Sequence, residues 1–589
     1  MPSTDAAPPP PGIGRLKTTC EWVLAALCVA LPVTLSLRRS LAVDEYIYLH
    51  WAYEASRGAF AGADYFATHL PFMQVLLAPA FWIERSTPER GAVVARVAFA
   101  LLGVASVCLA FRSYDRANGI TGTGVAHRHV PSVAIAAIAV GACDSYANRA
   151  VEVRPDNVYV FFLLLSVACI PRSRHRARAW LSGACFGWAV LSSEKIVIAI
   201  ASLFAAHAAA LLVSSRARVV ARDTAVRANA RDFALGFLVS SAVGILLSTG
   251  GNLRGGMEQM RELATYLRGR FAERRPFMEN PGAEGFLTVV GLSAASIAII
   301  SFVGLVARTA REPENTRRRF VWPPTYLGLL AGGVLTYAVQ RESYEYSRVL
   351  LFIVAVPLLA DAMATIVSAL RLPKVAAAGA QLATLGALAN HGIAGVDWPQ
   401  QQPTLDANLA MLADVRAATT SEDCVYDNSS GAYFRDHVHP YYVMTDHLMR
   451  DTQGAKIAAE VPPLILSRGC VAMMVDYRNG FSQPLQRFLD SHFVQVSPYF
   501  YFYGTKLTTR VLADPADFIA PRGSWYLADP PGATVRLSSE DPWSERIWLD
   551  RGSHKVFASK KDTRLIWQPR DGSPKPAYRG RTDLRFSHI

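Results

Sequence analysis

The sequence predicts a polytopic α-helical membrane protein followed by a C-terminal region of mixed α/β and β structure. Three observations carry that class. The 589 residues are 51% hydrophobic and only 18% charged, too apolar and too long for one water-soluble core. Apolar stretches near the roughly 20-residue length that spans a bilayer recur as far as residue 393. Beyond residue 395 the apolar runs shorten to strand length, with Pro, Gly and Asp between them.

The first 17 residues are Pro-rich and read as a disordered cytoplasmic tail. A membrane-spanning region over 18–395 follows, with eleven spans predicted at 20–37, 92–111, 130–146, 158–170, 179–191, 196–213, 233–249, 286–307, 326–339, 349–370 and 375–393. The first reads as a retained anchor, since no small-residue cleavage site follows it. The run 72–83 is too short to cross and is expected in the interface. The stretch 257–271 alternates Met, Leu and Phe with Arg at helical spacing, the profile of an interfacial amphipathic helix.

The formal net charge of +13 raises the possibility of a nucleic-acid partner, but its distribution argues against one. With the N-terminus inside, the basic clusters at 112–128, 172–178, 216–231, 308–319 and 371–374 all fall on one side, as cytoplasmic loops require. The opposite, extracytoplasmic side receives the segment after the first span, the mouths near 144–156 and 192–195, the loop 250–285, the segment 340–348 and the whole C-terminal region. That region divides into an α/β domain over 396–512, a small all-β module over 513–571 and a flexible tail over 572–589. Trp525, Trp543, Trp548 and Trp567 are expected in the module's core, a sugar-binding surface being the alternative. The eight cysteines show no CxxC or Cys/His spacing. Cys424 and Cys470, alone in the C-terminal region, are open to pairing as a disulfide or to burial as free thiols.

The chemistry-bearing residues gather on the extracytoplasmic side. Asp44 and Glu45 follow the first span, and a carboxylate beside hydrocarbon needs water, a cation or a substrate to face. The structural alternative is that Asp44 caps a helix beginning at Glu45. Arg149, Glu152, Arg154 and Asp156 crowd the mouth of the fourth span, where Pro155 and Asp156 also suit a helix N-terminus. Lys195 sits in a short turn and Arg348 opens a late span; each is a candidate phosphate ligand or an interfacial anchor. No P-loop, GxSxG, HExxH or strand-to-helix GxGxxG occurs, so nucleotide-driven transport, serine hydrolysis and zinc proteolysis lack their motifs.

In this order the residues resemble the GT-C glycosyltransferases that use lipid-phosphate sugars, in particular the protein O-mannosyltransferases and the aminoarabinose lipid A transferases. The matching pieces are Asp44 and Glu45, then Asp64, Tyr65, His69 and Pro71, then Arg154, Pro155 and Asp156, then Lys195, and finally Arg348 with Pro357. His-Leu-Pro stands where the lipid A enzymes tend to show Glu-Lys-Pro-Pro, and MIR repeats are not evident. The resemblance implies a plasma-membrane (inner-membrane) enzyme transferring a hexose or pentose, with inversion, from a polyprenyl-phosphate donor to an extracytoplasmic glycan, lipid or protein. It implies Asp44 as general base, Asp156 and Glu45 as groups orienting the sugar, and Lys195, Arg348, Arg270 and Arg274 as ligands of the donor phosphate. Asp64, Tyr65, His69 and Arg154 would contact substrate. A divalent metal ion held by Asp44, Asp156 and His69 and a metal-free site both stay open. A polytopic transporter or lipid flippase fits the span count equally and predicts inverted repeats.

Overall fold

The computed structural model describes residues 30, 32–83, 87–117, 151–171, 174–213, 224–272, 322–339, 349–358, 404–427, 431–439, 447–474, 483–496, 500–507 and 514–568. The expected spans at 130–146, 286–307 and 375–393, most of that at 20–37 and the latter part of 349–370 lie outside these residues, as does the tail 572–589.

After a helical stretch at 32–38, the N-terminal half contains α1 (Val43–Ser56), α2 (Phe72–Ile83), α3 (Pro88–Ala117), α4 (Pro155–Cys169), α5 (Arg176–Ser192), α6 (Ile196–Val213), α7 (Thr224–Thr249), α8 (Leu253–Ala272), α9 (Trp322–Val339) and α10 (Val349–Leu358). Two of the described helices are long and apolar enough to cross a membrane, over Pro88–Asp115 and Val226–Thr249. Helices α5 and α7 approach with their backbones almost touching. A Cβ on Gly183 would collide with the Phe233 carbonyl, and one on Gly236 with that of Trp180, which is the small-residue contact by which helices associate in lipid. Large side chains point outward along α6 (Val197, Phe204, Leu212) and α7 (Leu238, Val243, Leu246), an apolar surface suited to a bilayer and not to water.

Helix α2 departs from expectation. Phe72, Met73, Leu77 and Phe81 are buried in the bundle core, leaving only an edge with Leu76, Trp82 and Ile83 exposed. Its apolar residues run almost all the way round, so most of its surface finds protein and not headgroups.

The C-terminal half begins with α11 (Leu405–Ala418), then β1 (Cys424–Asp427), β2 (Asp436–His437), α12 (His447–Arg468), β3 (Ala472–Met474), α13 (Gln483–His492), β4 (Phe493–Gln495) and β5 (Phe500–Lys506). Strands β6 (Ala516–Ala520), β7 (Ser524–Asp529), β8 (Val535–Arg536), β9 (Arg546–Leu549), β10 (Gly552–Ala558) and β11 (Arg564–Trp567) complete it. Helix α12 escapes a sequence reading because Pro462 and Pro463 interrupt its pattern. Among the described residues the larger sheet has eight strands in the order β2-β1-β3-β5-β11-β7-β9, with β4 also on β5.

That order crosses the domain boundary expected at residue 512. The long strand β5 pairs through its first half with β3 and through Gly504–Lys506 with β11, so the α/β part and the β module share one sheet. A second sheet of three strands, β6-β10-β8, lies beside it among the described residues. Cys424 and Cys470 form a disulfide between the starts of the neighbouring parallel strands β1 and β3. The tryptophans divide: Trp567 is buried in the core as expected, whereas Trp525, Trp543 and Trp548 are exposed. The alternation of β7 and β9 turns Tyr526 and Leu549 inward and leaves Trp525 and Trp548 as opposed residues on the outer face.

The two halves are joined at one end of the bundle. The Leu41 N–H donates to Asn408 Oδ1 at 2.7 Å, the Tyr433 hydroxyl donates to the Pro88 carbonyl at 2.7 Å, and Arg416 pairs with Glu89 at 2.9 Å. His50 lies against the Tyr433 carbonyl at 2.9 Å and edge-on to the His437 ring at 4.2 Å. Burial pushes His50 down to about 4, so it sits neutral in this interface.

Candidate active site

Helix α1 begins two residues earlier than a cap at Asp44 would require. Its N-cap is Ala42, and Glu45 turns back so that Oε2 accepts the Ala42 N–H at 2.8 Å, closing the first turn. Glu45, not Asp44, therefore performs the capping. The same carboxylate is held bidentately by Arg96 of α3, through Nε at 2.9 Å and through Nη2, and Oε1 accepts the Val153 N–H at 3.0 Å. Glu45 and Arg96 are both 0% exposed. Arg96 also donates to the Ser36, Arg39 and Ser40 carbonyls at the end of the preceding helical stretch. The placement corrects the expectation that Glu45 orients a sugar: its oxygens are taken up in tying α1, α3 and the 151–154 segment together, away from any solvent.

Asp44, one residue earlier, faces the other way and keeps 19% of its side chain exposed. Its Oδ2 accepts from Arg154 Nη1 at 3.0 Å. Arg154 is the N-cap residue of α4, with Pro155 at the first helical position as its fixed φ favours. Buried Glu152 takes the Arg154 Nε on one oxygen and Arg39 at 3.3 Å on the other. The crowding of charge at this mouth is thus an alternating chain, Arg39, Glu152, Arg154 and Asp44, in which Glu152 lies between two cations and Arg154 between two carboxylates.

Asp156, in the first turn of α4, accepts from Lys195 Nζ at 2.8 Å. Lys195 lies in the turn between α5 and α6, and the preceding Glu194 meets His69 Nδ1 at 3.1 Å. Burial alone would raise the Glu194 carboxyl, but His69 and Lys195 beside it outweigh that and hold it down at about 2. Tyr48, one turn after Asp44 on α1, lies among all of these groups. Burial pushes its phenol well above the ordinary value, and the charges of Asp44, Arg154, Asp156 and Glu194 all act on it. Its ring centroid is 5.7 Å from that of His69.

Asp44, Arg154, Asp156, Lys195 and His69 are thus brought to one end of the bundle around Tyr48. Asp64 and Tyr65 are not among them, a second correction. Asp64 accepts the Phe60 N–H at 2.7 Å in an exposed local turn, and the buried Tyr65 hydroxyl donates to Gln74 Oε1 at 2.8 Å inside the core. Arg274 and Arg348 lie outside the described residues, as does the Arg270 side chain. A divalent ion does not fit the three ligands proposed for it: Asp44 faces Arg154, Asp156 faces Lys195 and His69 faces Glu194. Among the described residues no three His, Cys, Asp or Glu side chains converge on a point.

Sequence reasoning missed Glu194, Tyr48 and Arg96. The first had a signal, a carboxylate beside a lysine in a turn between two apolar runs. Tyr48 had a weaker one, its i+4 spacing from Asp44, which places both on one helix face. Arg96 had the clearest, a single arginine inside an apolar run.

In class, the molecule is a helical bundle with lipid-suited sides, bearing an acid-and-cation site at the end where its sheet domain docks. No protein-family model matches the chain, and no curated protein matches it. Among solved structures, the crystal structure of ArnT from Cupriavidus metallidurans bound to undecaprenyl phosphate is similar over 78% of this chain and 93% of that one, at 14% sequence identity and a TM-score of 0.48.

Proposed function

We propose that the protein is a membrane glycosyltransferase that moves a hexose or pentose from a polyprenyl-phosphate donor to an extracytoplasmic hydroxyl acceptor with inversion. The observation that carries this reading is the pairing of a partly exposed carboxylate, Asp44, with a nearby Lys195–Asp156 ion pair around Tyr48. Asp44 accepts the acceptor's proton as its oxygen attacks the anomeric carbon. The bond from that carbon to the phosphate oxygen breaks on the opposite side, and its electron pair leaves with the lipid phosphate. Lys195 transfers its charge from Asp156 to the departing phosphate, which needs no protonation because it is already an anion. Asp156, so released, is placed to accept from a sugar hydroxyl. Arg348, Arg270 and Arg274 supply further positive charge to the phosphate. Glu45 acts by position, holding Asp44 and the Arg154 segment in register.

Support for the orientation comes from the one-sided arginine clusters and from the Cys424–Cys470 disulfide, a bond that persists in oxidising compartments, in the half that docks at the site end. The test is to incubate the purified full-length protein in lipid nanodiscs with labelled polyprenyl-phosphate sugar, comparing it with Asp44→Asn and Asp156→Asn. Sugar transfer, or slow donor hydrolysis, is expected from the unmodified protein and lost in both variants. Unchanged turnover in Asp44→Asn overturns the reading.

A further inference from the structure

His69 reaches Glu194 from the irregular segment 59–71, whose backbone is gripped at one point by a residue 192 positions away. Gln259 of α8 accepts the Ala67 N–H on Oε1 at 3.1 Å and donates from Nε2 to the Ala67 carbonyl at 2.5 Å. Both residues are buried. One side-chain amide thus satisfies both backbone groups of a residue with no strand beside it, groups that would be costly to leave unpaired. A second, independent contact fits the same segment to α8. Gly62, at φ +81°, lies so close that a Cβ there would overlap the Gly255 carbonyl. A positive φ of this kind is one glycine adopts freely.

We propose that Gln259 is a positioning residue for the transfer reaction, acting through the Ala67 backbone to hold His69 against Glu194 and beside Lys195. The inference rests on the function proposed above. His69 is two residues beyond Ala67, so the grip on one sets the reach of the other. Without the amide, the Ala67 N–H and carbonyl must find water, and the segment moves to let them. The His69–Glu194 contact of 3.1 Å does not survive a displacement of about 1 Å, given the narrow range of hydrogen-bond distances. Glu194 then turns to Lys195, its other neighbouring cation, and competes with the donor phosphate for it. The loss falls on donor binding.

The test uses the full-length protein in nanodiscs with labelled polyprenyl-phosphate sugar, and compares it with Gln259→Leu, which keeps the bulk and removes both hydrogen bonds. The donor KM is expected to rise about tenfold with kcat changed less than about twofold, the pattern of lost binding; a merely misfolded fraction lowers kcat and leaves KM alone. Amide exchange at residues 67–70 is expected to quicken by about tenfold or more, as a lost buried hydrogen bond predicts. Gln259→Glu adds a check independent of bulk. It keeps an acceptor for the Ala67 N–H and regains a donor only when its carboxyl is protonated, so its donor KM, relative to the unmodified protein at each pH, is expected to recover as pH falls. An unchanged KM or unchanged exchange in Gln259→Leu, or no recovery in Gln259→Glu, overturns the inference alone. Absence of transfer by the unmodified protein overturns the function as well.

Discussion

Two ion pairs from each half, those of the bundle mouth and those on the outer face of the sheets, are built on opposite terms. In the helical half Arg96 and Glu45 are both fully buried, and Arg154 and Glu152 nearly so. In the sheet half Lys506–Asp562 and Lys555–Asp517 are each more than half exposed on both partners. Exposed pairs contribute about 0–1 kcal/mol. Buried ones recover a desolvation cost only through good geometry, so they add little net stability, yet breaking one is expensive. The contrast teaches that the buried pairs at the bundle mouth add little net stability for what it costs to disturb them. Their charge makes the fold depend on a particular placement of carboxylates and cations, which is what the transfer site proposed above requires.

The largest effect expected from this contrast is at the buried end. Arg96→Met leaves Glu45 uncompensated in the core and should cost about 3–5 kcal/mol, read as a collapse of the folded fraction in thermal unfolding of the nanodisc-embedded protein. Next come two pH effects of similar size. Glu194 is held at about 2 against an ordinary 4.5. A depressed carboxyl contributes stability above its unfolded value and loses it as pH falls, so an increment on the order of 3 kcal/mol should disappear between about pH 4.5 and pH 2, and be absent in Glu194→Gln.

His50 is a base held low, at about 4 against 6.5, by burial at the junction between the halves. Its contribution is complete above pH 6.5 and lost as pH falls toward 4, so the two halves should come apart in mild acid. Limited proteolysis between pH 7 and pH 4 reads this directly, and His50→Phe should reduce the dependence, the remainder belonging to His437 beside it, which burial also pushes down. Lys555→Ala gives the smallest effect, within about 0.5 kcal/mol, since its pair stands in water. A large loss there would erase the contrast.

Much of the bundle end was legible in the sequence because hydrocarbon makes charge conspicuous. Asp44, Arg154, Asp156 and Lys195 stand at the edges of apolar runs, and α6 was expected over the residues it occupies. What failed was assignment within that set. Asp44 and Glu45 are adjacent, and only the direction of each side chain tells the partly exposed acid from the capping one. The Gln259–Ala67 pairing joins an amide to a backbone, and no pattern of residue types announces it. In the sheet half, β5 is the reason the division at residue 512 failed: one strand long enough to serve two neighbours in succession merges what spacing reads as two modules. The exposed Trp525 and Trp548 show the limit of composition, since aromatic content predicts a core without saying which face of a strand each ring occupies.

The adjacent acids also supply the most direct test. Sugar transfer from a labelled polyprenyl-phosphate donor, normalised to folded protein, should be measured for Asp44→Asn and Glu45→Gln side by side. The account predicts that Asp44→Asn folds normally and loses about 10²- to 10⁴-fold in turnover, the usual contribution of a general base, while Glu45→Gln unfolds more readily and keeps turnover within about tenfold. Equal losses in the two variants, or a greater loss in Glu45→Gln, would contradict it.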